Sequence, residues 1–106
     1  MGSPFEPPYY AVIFRSKRSE GDFGYAEASR AMFEEVKKLD GFLGMDSVRG
    51  ADGVGITVSY WKTMESIEAM RENTSHKAAK RLGKLQWYDA YSIRICKVES
   101  DGAFQR

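Results

Sequence analysis

The sequence predicts an α+β fold: a four-stranded antiparallel sheet with helices packed on one face. Three observations predict it. Residues 42–61, FLGMDSVRGADGVGITVSYW, read as one β-hairpin. Helical apolar stripes flank that hairpin on both sides in the chain. Runs rich in β-formers open and close the pattern, at Tyr9–Arg15 and at about Asp89–Glu99.

Residues 1–8 carry all three prolines, Pro4, Pro7 and Pro8. Proline lacks an amide donor and disfavours helix in its predecessor, so an arm is expected there. YYAVIFR (9–15) is apolar on both faces, which predicts a strand buried on both. Ser16–Asp22 is a polar loop. A helix follows over about Phe23–Leu39, with Tyr25, Ala28, Met32, Val36 and Leu39 on one stripe. Asp22 is its expected N-cap, Lys37 and Lys38 suit its C-terminal dipole, and Gly41 lies just beyond its end.

In the hairpin, Val54, Ile56, Val58 and Tyr60 alternate with Gly55, Thr57, Ser59 and Trp61. Gly50-Ala51-Asp52-Gly53 supplies the reversal. Lys62–Gly83 reads as helix in two pieces, the first capped by Thr63. Asn73-Thr74-Ser75 marks a break, Ser75 is expected to cap the second piece, and Gly83 to end it. The last strand alternates Tyr91, Ile93, Ile95 with Ser92, Arg94, Cys96, and residues 100–106 form a tail.

The order strand, helix, strand, strand, helix, strand is the ferredoxin-like split βαβ arrangement (βαββαβ). Its second sheet face is apolar or small. Burial against another copy is the expected solution, which predicts a homodimer.

Bulk properties bound the function. The 106 residues make one domain, 9–99, between the arm 1–8 and the tail 100–106. Lys plus Arg number 16 and Asp plus Glu 15, so no net field draws the chain to nucleic acid or anionic membrane. No apolar run reaches membrane-span length. Cys96 is the only cysteine, so an intrachain disulfide is impossible; a cytoplasmic location is expected. Cys96 itself reads as a small buried hydrophobe.

A set of residues resembles a known family. It comprises Gly41-Phe42-x-Gly44, Ser47-x-Arg49, Gly55-Ile56-x-Val58-Ser59-Tyr60-Trp61, Glu65-Ser66-Ile67, His76-Lys77-x-Ala79, Gly83, Trp87-Tyr88 and Tyr91-x-x-Arg94. Together these are similar to the antibiotic biosynthesis monooxygenase family of dimeric α+β barrel proteins, across about residues 9–99. The resemblance implies a homodimer whose subunits each hold an apolar cavity. It implies a cofactor-independent monooxygenase acting with O2 on a small hydrophobic, phenolic or quinol-type aromatic molecule. No cofactor is expected. Haem is the alternative, because one group of relatives binds and degrades it. That group uses a Trp on the second helix, a His ten positions later and an Asn on the first strand. Here those positions fall on Met70 and Lys80, and the first strand has no Asn. A third reading is a non-catalytic dimeric module for ligand binding or stress response.

His76 is the only histidine. It is the first candidate for a general base or hydrogen-bond donor, against a purely structural role at a helix start. Tyr88 is the second catalytic candidate. The pocket candidates are Trp61, Tyr60, Met70, Trp87, Tyr91 and Arg94. Ordinary core and interface packing accounts for most of the aromatic ones. Met32 and Met64 join Met70 on inward helical faces. Arg94, mid-strand, is expected to pair with a carboxylate such as Asp89 or Glu99 across the dimer, or with an acidic ligand. Arg49 is expected to be solvated. Lys77, Lys80, Arg81 and Lys84 form a solvated basic face. One His and one Cys do not make a metal shell.

Overall fold

The computed structural model describes residues 5–106, leaving aside the side chains of Thr74 and Ser75. The expected arm therefore lies partly outside the described residues. The elements are β1 (Tyr9–Arg18), α1 (Tyr25–Val36), β2 (Phe42–Arg49), β3 (Val54–Trp61), α2 (Met64–Glu72), α3 (Thr74–Leu82) and β4 (Tyr88–Val98). The strands form one antiparallel sheet in the order β2-β3-β1-β4. This is the α+β, ferredoxin-like arrangement predicted.

β1 outruns its expected end. Ser16, Lys17 and Arg18 keep pairing with Tyr91, Ala90 and Tyr88, with a bulge between Lys17 and Arg18. The polar composition of that segment suggested a loop, but cross-strand partners decide strand ends. α1 is shorter than the expected Phe23–Leu39 at both ends. Gly24, in the left-handed region, is the N-cap residue, yet Asp22 still supplies the capping oxygens. Its carboxylate accepts from the Gly24 and Ala26 amides at 3.1 and 3.2 Å. Past Val36 the chain turns to Gly41, whose φ of 84° only glycine adopts freely; a Cβ there would also overlap the Ser66 hydroxyl.

Thr63 caps α2 as expected, accepting the Ser66 amide at 3.0 Å. The break before α3 is real: Asn73 is extended (φ −62°, ψ 131°). Asn73, rather than Ser75, is the cap of α3, its Oδ1 accepting the His76 amide at 3.1 Å. The Ser75 side chain lies outside the described residues. Gly83 does not end the helix. It stays helical, and a π-helical turn, Gly83–Trp87, carries the chain to β4. That wider turn seats Trp87 inside, where its Nε1 donates to the Phe23 carbonyl at 3.0 Å.

Register assigns the sheet faces. Val12 stands opposite Ser59 on one side and Ile95 on the other. Val12 also belongs to the core with Val36, Trp61, Ile67 and Met70, so its face lies under the helices. The inward row of β3 is consequently Gly55, Thr57, Ser59 and Trp61. Its apolar row, Val54, Ile56, Val58 and Tyr60, points outward with Tyr9, Ala11 and Ile13 of β1. Phe5 packs on that outer face, 5.5 Å from the Tyr9 ring and 5.7 Å from the Tyr60 ring. Val48 and Ile56 remain exposed there, by 74% and 40%. Cys96 is also exposed on it, contrary to the buried reading. Tyr9, at the sheet end, donates to Asp101 at 2.6 Å and so ties down the start of the tail.

Candidate functional site

Between the inward sheet face and the helices lies a cavity of about 960 Å³. Its floor comes from all four strands and its roof from α1, α2, α3 and the π-helical turn. The β1–β4 half of the floor is apolar, with Val12, Phe14, Ile93 and Ile95. The β2–β3 half carries Met45, Ser47, Thr57 and Ser59. The hydroxyls of that half are hydrogen-bonded. Ser47 and Thr57 share a hydrogen bond of 2.8 Å, and Ser59 Oγ accepts from Trp61 Nε1 at 2.9 Å.

His76 lines the cavity from the first turn of α3. Burial holds its pKa below the ordinary value, and the charges of Lys80 and Arg71 push the same way. Its imidazole is therefore neutral at neutral pH, the form a general base requires.

A second polar group closes one end. Tyr25, at the start of α1, sits beside Tyr88, their ring centroids 5.7 Å apart. Arg49 Nη2 lies 3.5 Å from the Tyr25 hydroxyl and 2.9 Å from Ser16 Oγ, and Arg49 Nη1 donates to the Gly53 carbonyl at 2.6 Å. The Arg18 guanidinium stacks on the Tyr25 ring, 3.8 Å from its centroid. Burial raises the Tyr25 phenol, but the Tyr88 hydrogen bond, the charge and hydrogen bond of Arg49, and Ser29 together outweigh it. Tyr25 is thus more acidic than an ordinary tyrosine. Tyr88 moves the other way: burial first, then its tie to Tyr25, push it well up, against smaller opposing effects of Arg49 and Arg18. Tyr88 is the donor of the pair.

The structure brings His76, Tyr88, Tyr91, Trp61, Met70 and Trp87 to one cavity. Their roles differ. Trp61 is fully buried, T-shaped to Phe42 at 5.3 Å, and its N–H is spent on Ser59. Met70 and Trp87 are buried wall. Tyr91 and Tyr88 frame Phe14, at 5.3 and 5.4 Å. Two candidates are placed wrongly by sequence reasoning. Tyr60 points to the opposite face, where its hydroxyl donates to Asp46 at 3.3 Å. Arg94 also faces away from the cavity; it is exposed and donates to Ser92 at 3.2 Å. Met64 is likewise more exposed than an inward residue, at 37%. Arg49 is exposed, as expected of a solvated residue, and its guanidinium folds over Gly55, where an added Cβ would lie 2.7 Å from its Cζ. Sequence reasoning missed Tyr25 and Arg49 as a site. The available signal was Gly55 in the register opposite Arg49, a small residue that leaves room for a large one.

The residue set of haem-degrading relatives does not fit this cavity. Met70 packs into the core, Lys80 is an exposed residue of α3, and Val12 and Phe14 of β1 face the hollow where an Asn would stand. Among the described residues, no cluster of three or more His, Cys, Asp or Glu could hold a metal ion. No helix among the described residues is long and apolar enough to cross a membrane.

Helices packed on one face of a βαββαβ sheet define a fold class, and solved structures share it. A protein of Nitrosomonas europaea assigned to the antibiotic biosynthesis monooxygenases superposes with a TM-score of 0.75 at 15% identity, over 89% of this chain and 93% of that one. A Caulobacter crescentus CB15 protein with the same assignment gives 0.76 at 15%, over 88% and 92%. A mutant of SnoaB, a cofactor-independent oxygenase from Streptomyces nogalater, gives 0.76 at 6%, over 89% and 96%. The fold is that of the antibiotic biosynthesis monooxygenase family. No family model matches the sequence. By sequence, the chain belongs to one family with the uncharacterized protein YqjZ of Bacillus subtilis (strain 168), to which it is 51% identical over 100 residues, 94% of this chain and 88% of that one.

Proposed function

We propose that this protein is a cofactor-independent monooxygenase for a phenolic or quinol-type aromatic molecule. The observation that carries the reading is the apolar cavity lined by a neutral imidazole, His76, and by the Tyr25–Tyr88 pair, with Arg49 against the Tyr25 hydroxyl. The fold it shares with a cofactor-independent oxygenase supports it.

The chemistry needs an electron-rich anion in a dry site. His76 takes the proton of the substrate hydroxyl. Tyr88, held protonated by its raised pKa, turns its hydroxyl hydrogen from Tyr25 to the resulting phenolate oxygen, while Arg49 stays on Tyr25. The phenolate ring passes an electron to O2, and the two radicals combine at carbon as a peroxide anion. For a ring CH2, the O–O bond then breaks: one oxygen stays as C=O, and the other leaves as water with both hydrogens. His76 returns its proton to that leaving oxygen. No step is assigned to haem.

The working unit in this reading is a homodimer. The outward face, with Val48 and Ile56 exposed, is the surface a second copy would cover. The test is oxygen uptake by metal-free protein with an anthrone or naphthalenediol. His76→Ala is expected to lose roughly 10²–10⁴-fold in rate. A variant as fast as the wild type removes the assigned base, and absent uptake by either protein sinks the oxygenase reading.

A further inference from the structure

We propose that the Ser47–Thr57 hydroxyl pair is a ligand-reading subsite, which fixes how a planar aromatic molecule lies in the cavity. This rests on the cavity's being a site for an aromatic molecule. The ligand class it takes carries neighbouring oxygens along one edge and bare hydrocarbon along the other.

The argument starts from the divided floor. Helix-covered sheet faces are normally filled by branched apolar side chains. Here β3 turns its valines and isoleucine outward and presents hydroxyls to the helices. The register with β1 fixes that choice, because a one-residue slip would exchange the two rows. Across the same floor, Val12 and Ile95 offer only hydrocarbon.

The individual hydroxyls are not equivalent. Ser59 is engaged by the buried Trp61 N–H. Ser47 and Thr57 bond each other at 2.8 Å, and no other bond of theirs is found among the described residues. Each hydroxyl has one hydrogen and two lone pairs, so that single bond leaves one hydrogen and three lone pairs free. The pair is open to solvent in part, so water satisfies it until a ligand oxygen takes the water's place. A matched oxygen replaces that water without loss, whereas a hydrocarbon edge strands two polar atoms. The ligand is thereby turned with its oxygens toward β2 and β3 and its apolar edge toward β1 and β4.

The test is equilibrium binding of two probes, a vicinal dihydroxynaphthalene and naphthalene, followed by fluorescence. The Ser47→Ala/Thr57→Val double variant is expected to bind the diol about tenfold more weakly and naphthalene at least as tightly as the wild type does. Thr57→Ser, which keeps the hydroxyl, is expected to retain diol affinity. The Thr57→Val single variant, matched in shape, makes the same comparison if the double variant unfolds early. Equal losses for both probes, or no loss for the diol, overturn the subsite while leaving the cavity as a binding site. Binding of neither probe by the wild type overturns both. Oxygen uptake is not part of this readout, so a protein that sorts the probes without oxidising them upholds the subsite and fails the oxygenase.

Discussion

The Arg49 guanidinium reaches from the edge strand to the Tyr25 hydroxyl, with Nη2 at 3.5 Å. It can do so because Gly55, its cross-strand partner, has no side chain beneath it. A positive charge there favours the phenolate of Tyr25 over the phenol. Arg49→Met is expected to raise the Tyr25 pKa, and Gly55→Ala to do the same by displacing the guanidinium. Ultraviolet titration of tyrosinate reads both, with Tyr25→Phe identifying the affected phase. A titration curve identical in Arg49→Met and wild type would discard the coupling.

His76 sets a pH window. Its folded pKa lies below the ordinary 6.5 of the unfolded chain. The unfolded state therefore binds the proton first, and stability present above 6.5 is lost as pH falls through the folded value. Thermal unfolding of wild type is expected to worsen over that interval, beyond what His76→Asn shows. Parallel curves for the two proteins would mean that burial of His76 has no energetic consequence.

Trp61 is the keystone of the core, fully buried against Phe42 and beside Ile67 and Met70. Trp61→Ala should cost about 3–5 kcal/mol, a large share of a small domain's stability. It also orphans the Ser59 acceptor. Urea denaturation measures it, and a cost below about 1 kcal/mol would show that the core closes over the gap.

Asn73 does two jobs, breaking the helix and capping the next one at the His76 amide. Asn73→Ala is expected to destabilise by about 1 kcal/mol. Because the capped amide belongs to His76, the same variant should weaken ligand binding more than Thr63→Ala, which removes an equivalent cap from α2. Equal effects on binding would separate the cap from the site.

The outward apolar face gives a test of assembly. Wild type is expected to sediment as twice the 12.0 kDa chain, and Ile56→Glu as a single chain with its helical signal intact. A wild type that stays a single chain in dilute solution removes the dimer from the proposed function.

Much of the fold was legible because period and punctuation agree. The hairpin, the Asn73 break, the Thr63 cap and the α1 stripe each combine a repeat with a residue of defined backbone preference. Face assignment was not legible. A period of two separates the Val54 row from the Thr57 row but carries no sign, and only pairing with β1 says which lies under the helices. Tyr60 and Arg94 were misplaced for that reason. Gly83 misled because its ordinary role at helix ends is a preference, overridden here by the pull of burying Trp87. Tyr25 read as one more member of an apolar stripe, since its acidity depends on Arg49, 24 residues away.

The inverted alternation of β3 has a consequence for how such chains can diverge. Hydrocarbon from β1, α1 and α2, with Trp61 of β3, supplies the contacts that hold the two layers together, so positions 47 and 57 are not needed to keep the layers joined. Exchanging them would retune what the hollow accepts while leaving the scaffold standing. One architecture could in this way serve many small molecules through a pair of letters on adjacent strands.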